Sequence, residues 1–161
     1  MAIDIFLKID GIDGESTDDA HRNWIELLSY DHGLAQSIIH DVGGGGNAAG
    51  RANFQDFSVA KELDRTTPEL NSYCASGKQI SKIEVELVSV TDDRPTFMKY
   101  TLENCLISQV QINGSSGDNK PTEEAAFAYQ KISWEYTEID PRGAPGDVIK
   151  RSWNLETNRP E

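Results

Sequence analysis

The chain is poor in cysteine, in basic residues and in long apolar runs, and each shortage narrows what it can be. Its two cysteines, Cys74 and Cys105, cannot form the disulfide framework that staples small secreted domains. They read as small buried hydrophobes or as a single helix–sheet bridge, and the residues leave both open. There are 15 Lys and Arg against 27 Asp and Glu, a formal charge of −12. Such a chain opposes nucleic acid and anionic membrane, and its cations are scattered rather than gathered into a patch. No run is apolar enough to cross a bilayer, so membrane insertion is not expected. The N-terminus lacks a basic region followed by an apolar block, so it reads as a strand rather than as a signal peptide. Exported by another route, the protein would keep that strand intact.

Catalytic spacing is also lacking. Gly77-Lys78 is followed by Gln79, with no glycine at the upstream position a phosphate-binding loop needs. The glycine run at 43–46 does not lie between a strand and a helix start. No GxSxG elbow is present. His21, His32 and His40 lie near Asp18, Asp19, Asp31 and Asp41, but without HxH or HExxH spacing, and they read as solvated loop histidines. Glu84 and Glu86 alternate on one strand face and read as a solvated wall rather than an acid/base pair. Asn113-Gly114-Ser115 matches a glycosylation sequon, discounted for want of an export signal. The expectation is a protein with no catalytic residue, no cofactor and no metal.

What is present is mostly β pattern. The length of 161 residues suggests one domain, 1–161. Ile3, Ile5, Leu7 and Ile9 alternate on a first strand, and residues 24–32 read as a second, bulged or buried on both faces. Residues 51–60 form a strand carrying Phe54 and Phe57. Residues 80–90 follow, with Ile83, Val85 and Leu87 inward. Asp92 to Pro95 is a hairpin turn, and 97–112 a long strand with Met98, Tyr100, Leu102, Leu106, Val110 and Ile112 on one side. A flexible turn covers 113–119. Residues 125–136 read as one strand with a bulge near Gln130, and 148–155 as the last.

One helix, about 67–76, interrupts this pattern. Thr67 is placed to cap it, Pro68 suits its first turn, Glu69 meets the positive dipole end, and Gly77 suits a left-handed stop. Leu70, Tyr73 and Cys74 form a narrow apolar stripe that must dock on the strands. The sum is a mainly β protein: a small antiparallel β-barrel of two sheets, the helix alongside, and a protruding glycine-rich loop. That loop is Val42, Gly43, Gly44, Gly45, Gly46, Asn47, Ala48, Ala49 and Gly50. Its backbone suits close contact with another subunit, or it is a solvated loop; the residues alone leave both open.

The whole chain resembles one family. The opening run 1–9, then Gly14-Glu15-Ser16 and His21, the arm 42–50, Asn53-Phe54-Gln55-Asp56-Phe57, the segment 64–78 with Ser76-Gly77-Lys78, and the final Trp153-Asn154-Leu155 carry the likeness by their order. They resemble the hemolysin-coregulated proteins (Hcp) of the bacterial type VI secretion system. The resemblance implies a β-barrel whose six copies form a homohexameric ring, and rings that stack into a tube. The partners it implies are tip, sheath and baseplate proteins and carried effectors. The protein would be made in the bacterial cytoplasm and secreted without a signal peptide. By position, the arm would contact a neighbouring subunit or ring. Residues 30–33 would border the channel, with Ser29 and Asp31 lining it. Relatives often place two tryptophans around a small residue there; here Tyr30 and His32 flank Asp31, which makes that layer more acidic. With an end soon after Trp153, the chain resembles the plain tube form without an enzymatic extension. An alternative is a monomeric ligand-binding β-barrel with the glycine loop as a lid.

Overall fold

The computed structural model describes residues 2–117 and 119–161. Met1 of the opening run and Asp118 of the second turn lie outside the described residues. The order is β1 (Ile3–Ile9), β2 (Ile25–Leu27), β3 (Ser29–Asp31), β4 (Leu34–His40), β5 (Asn47–Phe54), β6 (Phe57–Glu62), α1 (Thr67–Ser76), β7 (Ile80–Ser89), β8 (Thr96–Asn113), β9 (Thr122–Ala128), β10 (Lys131–Ile139) and β11 (Pro145–Asn154). The named strand pairs are antiparallel. One group runs β2-β1-β7-β8-β10-β11 and a second β8-β9-β6-β3, so β8 belongs to both. This is the two-sheet β class expected, with the helix alongside. The hydrogen-bonded path ends at β2 and β3, which follow one another in the chain, so the barrel keeps a seam there.

The seam and the corners correct three expectations. Residues 24–32 are not one strand. The chain leaves β1 after Leu27, turns at Leu28, whose N–H bonds to the Ala60 carbonyl at 2.7 Å, and rejoins as β3 on β6. Residues 125–136 divide at Tyr129 and Gln130, because the Gln130 N–H is taken by Glu103 and its carbonyl by Leu155. The chain crosses there from one sheet to the other. In β8 the single apolar side fails after Leu102. Asn104 takes a left-handed φ of 53°, and the register slips again past Ile107. Cys105 and Ile107 are therefore buried, while Ile112 is exposed.

The barrel interior is filled by Leu7, Phe57, Ile83, Val85, Leu102 and Phe127, among others. Each such side chain contributes about 1.5–3 kcal/mol by leaving water. The stripe on α1 docks as its spacing predicts, with Leu70 and Tyr73 buried and Cys74 half-buried against the core. Gly77 stops the helix in the left-handed conformation, at φ 66°. The Lys78 ammonium lies 4.6 Å from the Tyr73 ring centroid.

The start of the helix is built differently from the expectation. Thr66, not Thr67, is the cap residue, and its side chain makes no cap bond to the helix. The Thr67 hydroxyl instead donates to Glu123 Oε2 at 2.7 Å. Lys61, itself buried, joins Glu123 at 2.9 Å and Asp64 at 2.8 Å. Asp64 also accepts the Thr66 N–H and hydroxyl. Burial raises the Asp64 carboxyl's pKa, but these hydrogen bonds and the Lys61 charge outweigh it and hold the group below its ordinary value.

This cluster ties the helix to β6 and β9, with one buried cation shared between two carboxylates. Lys61→Met is expected to cost about 3–5 kcal/mol, because it strands a buried carboxylate. Lys61→Met with Glu123→Leu is expected to recover more than half of that. Urea unfolding of both variants checks this; a double variant no more stable than the single one sinks it.

Candidate functional site

Two surfaces of the fold stand outside its packed core. The first is the arm. The glycine stretch is not an open loop from 42 to 50. β4 and β5 pair as a hairpin that prolongs the β3–β6 pair outward, bridged by the Gln55 N–H on the Gly33 carbonyl at 2.9 Å. Asn47, Ala48, Ala49 and Gly50 are strand residues, and only Val42, Gly43, Gly44, Gly45 and Gly46 occupy the tip. Pairing with β4 overrides the poor strand propensity of glycine and alanine. Gly50 is needed for space: a Cβ there would lie 2.8 Å from the Ser37 carbonyl oxygen, where β4 bulges. At the tip Asp41 accepts the Gly43 N–H.

Every residue of β4 is exposed, including Leu34, Ile38 and Ile39, and Val42 is fully so. A two-stranded ribbon is marginal in water, and large exposed apolar patches are a feature of interaction surfaces. The arm is held at its base. Phe54 stacks on Trp134 with centroids 6.4 Å apart, the Tyr129 hydroxyl donates to the Gln55 carbonyl at 2.8 Å, and Arg51 reaches the Leu155 carbonyl at 3.4 Å.

The second surface is the outward face of β3, β6, β9 and the end of β8. Alternation points Tyr30 inward, its hydroxyl 3.2 Å from that of Tyr100, and leaves Ser29 and Asp31 outward and exposed. Pairing sets Asp31 beside Ser58, Ser58 beside Ala126 and Ala126 beside Gln109; likewise Ser29 beside Ala60 and Ala60 beside Glu124. They line a shallow hollow of about 280 Å³. Asp56 accepts a hydrogen bond from Ser108 at 2.7 Å on the same sheet. The wall is small and polar, and among the described residues no Lys or Arg lines the hollow. Sequence reasoning named Ser29 and Asp31 and missed Ser58, Ala60, Gln109 and Glu124. Their alternation with buried Phe57, Val59 and Ala125 was the available signal.

Comparison with known proteins places the chain in a family. The defining pattern of the family described as "Type VI secretion system effector, Hcp" matches residues 6–136. Protein hcp1 of Pseudomonas aeruginosa is 33% identical over 160 residues, covering 98% of each chain. The chain belongs to the Hcp family. A solved type six secretion system protein superposes with a TM-score of 0.95 at 32% identity, covering 99% of this chain and 100% of that one. Hcp1 from Salmonella typhimurium gives 0.82 at 31% identity over the full length of both. This Hcp is thus a type VI secretion protein by sequence and by fold.

Two of its histidines are not the solvated loop residues expected. His21 is buried, stacked on Phe6 with centroids 4.2 Å apart, its Nδ1 2.8 Å from Asp18 and its Nε2 3.3 Å from Glu86. The hydrogen bond from His21 lowers the Asp18 pKa; burial opposes it and Arg94 assists. Glu84 and Glu86 are likewise not a solvated wall, since Lys82 and Lys99 reach Glu84, and His21 and Thr96 reach Glu86. His40 is exposed and joined to Asn47. Both cysteines are free, and burial pushes the Cys105 thiol up to about 12, so it stays protonated.

His32 sits where the arm leaves the barrel, among Phe57, Tyr100, Tyr129 and Trp134 at centroid distances of 5.4 to 6.4 Å. The Trp134 indole N–H donates to its Nε2 at 3.3 Å, so the neutral ring carries its proton on Nδ1. Burial lowers the His32 pKa, and the Asp31 charge offsets part of this. The unfolded chain therefore takes up the proton first as pH falls. Stability from this group is intact above the ordinary value of 6.5 and declines as pH drops from there toward the lowered one. Urea midpoints followed by tryptophan fluorescence are expected to fall between pH 7.5 and 5, less steeply in His32→Phe. Equal slopes in the two proteins contradict the assignment. The carboxylates of Asp18 and Asp64 do not interfere, because their contribution is lost only as pH falls below the ordinary 3.8.

Proposed function

We propose that this Hcp is a structural subunit of a type VI secretion tube. Six copies close into a ring, rings stack, and effector proteins ride in the central channel. The protein is made in the bacterial cytoplasm and is itself secreted. It works as one unit across residues 1–161, by assembly and carriage rather than by catalysis. Tip, sheath and baseplate proteins are its partners in the machine.

The observation that carries this reading is the arm: a projecting ribbon with exposed Leu34, Ile38, Ile39 and Val42 on a chain of charge −12. Net charge keeps monomers apart, so an aliphatic ribbon is tolerable where a neighbouring subunit covers it. The arm, 42–50 with its flanking strands, docks on the adjacent subunit or the next ring. Ser29 and Asp31, with the small polar wall around them, line the channel. A wall with no cation and few long side chains suits passage of folded cargo. The alternative of a ligand-binding barrel is disfavoured by the interior, where Phe57, Phe127, Leu7 and Leu102 are each 0% exposed and leave no room for a ligand.

Light scattering behind a sizing column is expected to give about six times the 17.8 kDa chain. Ile38→Asp with Ile39→Asp, or removal of 42–46, is expected to shift that mass toward the monomer or abolish stacking, with the barrel's circular dichroism unchanged. A wild-type protein that stays monomeric at every concentration contradicts the reading. Salt provides a second check. Six like-charged copies repel, and added salt screens that repulsion, so the assembled fraction is expected to rise between roughly 0.05 and 0.5 M salt. Rings that fall apart as salt is added contradict it.

A further inference from the structure

We infer that the open seam of the barrel receives the β11 edge of a second copy of this chain, head to tail. This rests on the ring reading and names the surfaces that meet. The first surface is the seam. β1 is paired to β2 only from Ile5 onward, so Ile3 and Asp4 have no strand on that side, and β3 departs to pair with β6 alone. Between them lies a hollow of about 580 Å³. Its walls combine apolar Ile3, Ile5 and Leu28 with the carboxylates of Asp4, Asp18 and Glu26. Leu28 is 58% exposed, although it sits at the corner that makes the barrel. Arg94 neutralises part of this, reaching Asp4 and Asp18 at 3.0 Å each. Glu26 is exposed and has no cation within ion-pair distance among the described residues.

The second surface lies at the far end of the same sheet. Among the described residues β11 pairs with β10 alone, and it offers its other edge along most of ten residues. Exposed edges of this length are normally blunted or covered. At its middle are Val148, Ile149, Lys150 and Arg151, all exposed. Alternation puts Val148 and Lys150 on one face and Ile149 and Arg151 on the other, so each face offers one apolar and one basic side chain. Neither cation makes an ion pair among the described residues; Arg151 bonds only to the Lys150 carbonyl.

The two surfaces match in both respects that matter. Each is an unpaired strand edge, and each is apolar with a charge of opposite sign at its rim. They terminate the path β2-β1-β7-β8-β10-β11, so a contact between them joins different faces of successive copies. A contact of that kind is heterologous, so it propagates from copy to copy rather than stopping at a dimer, and it gives a ring where the rotation between copies closes. The arm then adds a separate contact, since its exposed residues belong to neither surface.

A disulfide test is direct, because both natural cysteines are free and Cys105 is buried. In a Cys74→Ser background, Leu28→Cys and Ile149→Cys are placed in one chain and the protein is mildly oxidised. The expected result is a ladder on a non-reducing gel that ends at six chains, with no ladder from either single variant. Charge reversal is the companion measurement. Glu26→Lys alone, or Lys150→Glu with Arg151→Glu alone, is expected to raise the concentration for half-assembly about tenfold. Mixing the two reversed proteins is expected to restore hetero-assembly. Hexamers by light scattering that yield no ladder overturn the edge contact and leave the ring standing. A native protein that never assembles overturns both.

Discussion

β8 is hydrogen-bonded to three strands: to β7 and β10 along its first half and to β9 along its second. A strand that serves two sheets must turn its apolar side as it passes from one to the other. Asn104 does this with a left-handed backbone, and the slip after Ile107 does it again. The second sheet stands where it does because of those two irregularities. With it stand the inward Tyr30, the outward Ser29 and Asp31, and the root of the arm. The helix follows as well, since Leu70 and Tyr73 join the core and Thr67 is held by Glu123 of β9.

The parts of this architecture legible in the sequence are those decided by near neighbours. Alternation located β1 and β7, turn residues bracketed the β7–β8 hairpin, and proline with glycine framed α1. The parts that were not legible are decided by residues far away in the chain. Nothing at Leu28 or Gln130 announces a corner; their backbones bend because Ala60, Glu103 and Leu155 offer partners. His21 and His32 read as loop histidines because Glu86 and Trp134, which occupy them, lie 65 and 102 residues further on. The arm was read as a loop because glycine and alanine lack strand propensity, and only the facing 34–40 segment makes them strand. Of the outward wall, the sequence carried the two positions on β3, while the remainder depended on which strands lie side by side.

Charge is handled in two ways in the molecule. Within the fold, carboxylates are gathered around few cations: Lys61 holds Asp64 and Glu123, and Arg94 holds Asp4 and Asp18. On the wall around Asp31 and Glu124 they are left to solvent. The first arrangement fixes geometry at the helix start and at the β1 end. The second leaves a surface whose field is unopposed locally and extends about one Debye length, roughly 8 Å, at physiological salt.

The wall of the second sheet has one more property. Ser29, Ser58, Ala60 and Ala126 have little or no rotamer freedom to lose, in contrast to the ~1.5–2 kcal/mol that ordering a lysine or glutamine costs. A molecule lying against these four positions freezes almost nothing there, whereas contact with Gln109 or Glu124 on the same wall orders a long side chain. At those four positions contact carries almost no ordering cost, so the selectivity of the wall falls to its carboxylates, Asp31 and Glu124.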